Sequence, residues 1–218
     1  MTVSVPHRYI VVEGPIGVGK TSLARRLAAS LGAETVFEQA DENPFLERFY
    51  RNPKAGALPA QLYFLFQRAQ QLAALRQDDL FAPLRVADYL LAKDRLFAQL
   101  TLDADEFGLY EQIHAKLAID APRPDLVVYL QAPVTVLMER IARRGIGYEG
   151  RISADYLERL NGAYAQFFLD YDAGPLLIVN AASIDPLNND ADYQELLGAI
   201  SRMRSGRLYY NPLGNAGL

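Results

Sequence analysis

Short apolar runs alternate with amphipathic segments along the chain, and that alternation predicts its elements. Tyr9-Ile10-Val11-Val12 reads as a strand over about residues 8–13. Thr35-Val36-Phe37-Glu38, Leu84-Arg85-Val86-Ala87-Asp88, Asp125-Leu126-Val127-Val128-Tyr129-Leu130 and Leu176-Leu177-Ile178-Val179 read as further strands. The run at 125–130 is almost continuously apolar, as a strand buried on both faces of a parallel sheet requires. Between the strands, apolar residues recur at helical spacing over about 19–31, 58–77, 89–100, 105–118, 152–171 and 191–203. Another helix starts at Pro133, with Val134, Leu137, Met138 and Ile141 on one stripe and Arg140 and Arg144 on a different face. Asn43 and Pro44 predict the cap and first turn of a short helix. The tail from Ser205 to Leu218, with its Gly, Asn and Pro, predicts an extension with little helix. Strands alternating with helices imply an α/β fold, a five-stranded parallel sheet with helices on both faces, in one domain over 1–218.

Gly14-Pro15-Ile16-Gly17-Val18-Gly19-Lys20-Thr21 joins the first strand to the first helix. It is the G-x-x-x-x-G-K-[ST] pattern in the strand–loop–helix setting where it binds phosphate. Gly14, Gly17 and Gly19 let successive N–H groups turn inward on phosphate oxygens, and the helix adds its positive end. Lys20 then reaches the β/γ-phosphates and the Thr21 hydroxyl ligates Mg²⁺. The expectation is a nucleoside triphosphate site. Ligands of parallel sheets gather beyond the carboxyl ends of the strands. Glu38 and Asp88 stand at two such ends, so three segments converge on one cleft.

Composition narrows the setting. Half of the 218 residues are hydrophobic, enough for a substantial core, and the net charge of −4 argues against a general nucleic-acid or anionic-membrane surface. Without cysteine there is no disulfide framework, Cys-ligated zinc site or thiol catalysis. The N-terminus lacks a basic region followed by an apolar core, and no apolar run approaches the roughly 18 residues of a membrane span. A soluble cytoplasmic protein is expected. His7 and His114 have no partners at metal-ligand or triad spacing.

With these positions in place, the chain resembles the deoxynucleoside kinases, and within them the bacterial deoxyguanosine/deoxyadenosine kinase branch. Besides the phosphate loop, the resemblance rests on Glu38, Asn43-Pro44-Phe45-Leu46, Phe49-Tyr50, Gln61, Arg68, Ala87-Asp88-Tyr89, Asp94 and Phe97-Ala98. It ends on Arg140-Ile141, Arg143-Arg144-Gly145, Glu149 and Tyr156-Leu157, spanning about Ile10 to Asn180. It implies a P-loop kinase with a small Arg-bearing lid at about 140–152, acting as a homodimer in nucleotide salvage. ATP is the implied donor, held by Gly14, Gly17, Gly19, Lys20, Thr21, Ser22, Arg140 and Arg144, with Mg²⁺ on Thr21 and Asp88.

Glu38 resembles the family's general base for the substrate 5′-hydroxyl, with Lys20 and Arg144 beside it in the catalytic set. Gln61, Arg68 and Asp94 match the trio that reads the nucleobase, and Tyr50 and Glu149 match the pair that holds the sugar 3′-hydroxyl. The implied substrate is a purine deoxynucleoside, deoxyguanosine or deoxyadenosine. From position alone, plainer roles stay open. Glu38 is equally a solvated strand-end acid, Asp88 a helix-capping acid, Arg68 and Asp94 a surface ion pair, and Tyr50 a core residue. Two departures stand out: Tyr89-Leu90 replaces the Arg-Ser that follows the acid in the family, and Ile146 replaces a lid arginine. Two rival functions follow. One is a thymidylate-kinase-like monophosphate kinase, which Asp94-Arg95 also fits. The other is a nucleotide-binding subunit without turnover.

Overall fold

β1 (Tyr9–Glu13) runs through the middle of the sheet, and Ile10, Val11 and Val12 have no solvent exposure. It pairs in parallel with β3 (Arg85–Ala87) on one side and β4 (Leu126–Gln131) on the other. Outside them lie β2 (Glu34–Val36) against β3, β5 (Leu176–Asn180) against β4, and β6 (Arg207–Tyr210) against β5. The order is β2-β3-β1-β4-β5-β6, parallel throughout. This computed structural model describes residues 5–77, 83–117, 119 and 121–212.

The sheet therefore has six strands and not five. The sixth comes from the tail expected to be an extension, of which residues 213–218 lie outside the described residues. Arg207-Leu208-Tyr209-Tyr210 is mostly exposed, so no apolar run marks it. Its strand conformation comes from the free edge of β5, in the register Leu176↔Arg207 to Val179↔Tyr210. The Arg207 guanidinium fastens it by donating to the carbonyls of Phe168 at 2.8 Å and Leu169 at 3.0 Å.

Helices α1 (Lys20–Leu31), α2 (Leu46–Arg51), α3 (Pro53–Gln77), α4 (Lys93–Thr101), α5 (Ala104–Leu117), α6 (Val134–Arg144), α7 (Ala154–Leu169) and α8 (Asp190–Arg202) connect the strands. Several boundaries differ from expectation: β2 ends at Val36, two residues short of Glu38, and α7 covers Ala154–Leu169 and not 152–171. α2 begins at Leu46, beyond Pro44, because Asn43 builds a turn: its Oδ1 accepts from the Phe45 N–H at 3.0 Å, and its Nδ2 donates to the Ala60 carbonyl at 3.1 Å. α3 starts at Pro53 and not near 58. There Gly56 lets α3 lie against α2, since a Cβ on it would stand 2.5 Å from the backbone of Phe49. α4 starts at Lys93 and not at 89, which frees residues 89–92 as a loop beyond β3. Among the described residues no helix is long and apolar enough to cross a membrane.

Candidate active site

The phosphate loop is shaped by close packing. At Gly14 (φ +149°) a Cβ would meet the Leu130 carbonyl oxygen at 2.4 Å. At Gly17 (φ +84°) it would meet Ile141 Cγ1 at 2.8 Å and the Leu137 carbonyl at 2.9 Å. The second contact seats the loop directly on α6. Gly19 precedes α1, whose start has no side-chain cap, so its first N–H groups are left for an anion. Arg140 braces the same loop by donating to the carbonyls of Val18 at 3.0 Å and Ala181 at 2.7 Å. Two of its N–H groups thus brace backbone, beside the phosphate contact that the sequence predicts.

Two cavities meet here. One, of about 790 Å³, is lined by Gly17, Gly19, Ser22, Arg140 and Arg144 together with the loop that follows β5. The other, of about 160 Å³, is lined by Gly17, Lys20, Thr21, Glu38, Tyr50, Gln61, Arg68, Asp88, Arg144 and Glu149. Gly17 and Arg144 belong to both walls. The sequence-derived site residues are therefore brought together, apart from Gly14, which packs beneath the loop, and Asp94, which lies behind Arg68.

Electrostatics ties these groups to one another. Asp88 Oδ2 accepts from the Thr21 hydroxyl, while its Oδ1 accepts from the Glu38 N–H at 2.8 Å. It joins the segments that follow β2 and β3 to the start of α1, and caps no helix. Arg68 is 4% exposed and pairs with both Glu38 and the fully buried Asp94, so this is an interior ion pair and not a surface one. Burial alone would raise the Glu38 pKa, but Arg68, Lys93 and Lys20 outweigh it and hold the carboxyl well below the usual carboxylate range. Lys20 is half-buried, its Nζ donating to the Pro15 carbonyl at 3.1 Å. Burial first, and then the nearby Lys93, pull its pKa down to about 8.

The lid closes one end of the smaller cavity. Arg144 donates from Nε to Glu149 Oε2 at 2.9 Å and from Nη2 to Oε1 at 2.5 Å, a two-pronged pair. Tyr148 stacks on Tyr50 with ring centres 5.7 Å apart, which sets the Tyr50 ring beside Glu149 and Tyr156. Arg143 pairs with Glu139 and lines the larger cavity but not the smaller one.

Two groups escaped the sequence reading. Glu13 is fully buried; its Oε1 accepts from the Gly14 N–H at 2.8 Å and the Tyr164 hydroxyl at 3.0 Å, and its Oε2 from the Leu90 N–H at 2.7 Å. It fixes the loop after β1 to the loop after β3, and the signal was an acid closing an apolar run. Lys93, 4% exposed, reaches Glu38 at 3.2 Å. For Mg²⁺ the donor set fits: a hydroxyl and a carboxylate, both hard oxygen ligands, face the cavity where phosphates would complete the shell.

Comparison with known proteins agrees with this geometry. A family profile described as deoxynucleoside kinase matches residues 10–203, which leaves β6 beyond its end. The deoxyguanosine kinase of Bacillus subtilis is 32% identical over 200 residues, covering 89% of this chain and 97% of the relative. A deoxyadenosine/deoxycytidine kinase of the same organism is 28% identical over 201 residues, covering 88% of this chain and 91% of the relative. The solved deoxyadenosine kinase from M. mycoides with bound dATP aligns with a TM-score of 0.77 at 25% identity, covering 89% of this chain and 99% of that one. With phosphate loop, paired cavities and family match in agreement, the chain belongs to the deoxynucleoside kinase family and is a phosphotransferase.

Proposed function

We propose that this enzyme transfers the γ-phosphoryl group of ATP to the 5′-hydroxyl of a purine deoxynucleoside, in nucleotide salvage. One observation carries the reading: two cavities share Gly17 and Arg144, with the phosphate loop between them and Glu38 on the wall of the smaller. The larger takes the donor and the smaller the acceptor. The 5′-hydroxyl approaches Glu38, which takes its proton as the new O–P bond forms and ADP leaves. Lys20 and Arg144 hold the transferring group. Mg²⁺, when bound at Thr21 and Asp88, offsets phosphate charge.

Gln61 and Arg68 line the acceptor cavity, with Asp94 orienting Arg68 from behind. A guanidinium fork suits the N7/O6 edge of guanine. Drawing Arg68 toward a purine would also weaken its hold on Glu38 and make that carboxylate a better base. Tyr50 and Glu149 face the sugar end, where the tyrosine ring leaves little room for a 2′-hydroxyl. The monophosphate-kinase alternative leaves Glu38 and Tyr50 without a task, and an inactive subunit would have no need of Lys20, Thr21, Glu38 and Asp88 in one cleft. We also propose a homodimer, as in the family resemblance. Incubation with Mg²⁺-ATP and each of the four deoxynucleosides and their 5′-monophosphates tests the function. Deoxyguanosine or deoxyadenosine is expected to be the best acceptor and thymidine a poor one; turnover of monophosphates alone would overturn the reading.

A further inference from the structure

Lys93 occupies a place that electrostatics disfavours. It is the first residue of α4, where the helix dipole repels a cation, and its side chain is 4% exposed. Its Nζ stands 5.9 Å from the ring centres of both Tyr89 and Phe97 and close enough to Lys20 to depress that residue's pKa. The anion it reaches is Glu38, at 3.2 Å from Oε1 and 3.3 Å from Oε2, and Arg68 already holds that carboxylate. Arg68 is shared with Asp94, and Lys20 has Glu13 and Asp88 within electrostatic reach, so Lys93 and Glu38 form a balanced pair that lasts only while Glu38 keeps its charge. The cavity wall that holds Lys93 also holds Lys20, Thr21 and Glu38, where acceptor and donor would meet.

We infer that Lys93 is a catalytic residue whose ammonium group binds the γ-phosphoryl oxygens as the group passes from donor to acceptor. The inference rests on the proposed phosphoryl transfer. In that step the O5′–P bond forms, the bond from Pγ to the bridging oxygen breaks, the nucleoside diphosphate leaves with the electron pair, and the 5′ proton goes to Glu38. Lys20 follows the phosphates from the donor side and Lys93 meets the moving group from the acceptor side. Tyr89, which stands where the family pattern has an arginine, instead donates its hydroxyl to Gln71 at 2.8 Å. The cation at this wall thus comes from the start of α4.

Lys93→Met keeps the bulk of the chain and removes the charge. Turnover is expected to fall about 10²–10³-fold, as for other lost transition-state donors, with deoxynucleoside Kd within about threefold. Binding of ADP–aluminium fluoride with deoxynucleoside should weaken by a similar factor, while a non-hydrolysable triphosphate binds normally. Lys93→Arg should recover most of the loss. Turnover of Lys93→Met within about threefold of wild type, or equal loss of ground-state and transition-state-analogue binding, overturns the inference. Should Lys93→Met not fold, the side-chain ¹⁵N resonance of Lys93 in the wild type, assigned by its absence in Lys93→Arg, decides. It must shift when ADP–aluminium fluoride joins the deoxynucleoside complex, and an unmoved resonance overturns the inference. A wild type that phosphorylates no deoxynucleoside would overturn the proposed function, and this inference with it; an active wild type matched by Lys93→Met overturns this inference alone.

Discussion

The tasks proposed for Glu38 and Asp88 are separable, and single substitutions distinguish them. Glu38→Gln keeps its size but cannot accept a proton, so turnover is expected to drop roughly 10²–10⁴-fold with nucleotide binding little changed. Asp88→Asn disturbs the metal position instead; its loss should be partly recovered at high Mg²⁺, and the Mg²⁺ dependence of ATP affinity should weaken. If titration with Mg²⁺ rescues the first variant and not the second, the roles are reversed. Lys20 gives a different signature. Its folded pKa of about 8 lies below its ordinary 10.5, so between those values the unfolded chain holds more protons and stability rises with pH. Lys20→Met should remove that rise and lift the nucleotide-free Tm by about 2–6 °C at neutral pH while abolishing turnover. At pH 8, nucleotide binding to the wild type should take up as much as about half a proton, measurable by calorimetry in buffers of different ionisation enthalpy. No uptake would mean that Lys20 does not meet the phosphates. Glu38 has the opposite sign. Its depressed pKa supplies stability above the ordinary value of 4.5 that is lost as acid protonates it, and Arg68→Met should shrink that contribution.

At the scale of elements, β6 and the phosphate loop both bear on the donor cavity. Asn211, just after β6, accepts from Asn180 Nδ2 at 2.8 Å, beside the residues Ala181–Asn188 that wall the donor cavity. Truncation after Arg204 should therefore raise the donor KM several-fold and leave kcat nearly unchanged; an unaltered donor KM would show that β6 only covers the sheet edge. Gly17→Ala should cost far more, because a methyl there meets α6 and the backbone is strained at φ +84°. Loss of donor binding with destabilisation of about 1–3 kcal/mol is expected by thermal unfolding. These elements differ in how legible they were. The loop announces itself because its chemistry is local in sequence. β1 and β4 do so because burial on both faces demands continuous apolar residues. β6 has no such run, since half-exposed side chains and a borrowed edge carry no pattern. The start of α2 was misplaced because the Asn43 turn depends on Ala60, which is distant in sequence. Glu38, Asp88, Gln61, Arg68, Tyr50 and Glu149 were legible through motif order. Lys93 was not, because a lysine beginning a helix normally faces water and only the tertiary fold turns it inward.

Across the whole molecule, the sheet supplies a line of carboxyl-terminal ends, and the cleft is built where β1, β2 and β3 finish. Glu13 and Asp88 bind those ends together, Arg140 ties the loop to the end of β5, and Arg144 with Glu149 closes the lid. The arrangement makes one central demand: two ligands must lie on opposite sides of the phosphate loop, with Glu38 at the receiving atom. Transfer of label from γ-³²P-ATP to deoxyguanosine, with the phosphorylated position identified by NMR, tests it most directly. The expected product is the 5′-monophosphate, formed by the wild type and reduced by roughly 10²–10⁴-fold in Glu38→Gln. Label on the 3′-hydroxyl, label only on added monophosphates, or undiminished transfer by Glu38→Gln would contradict it.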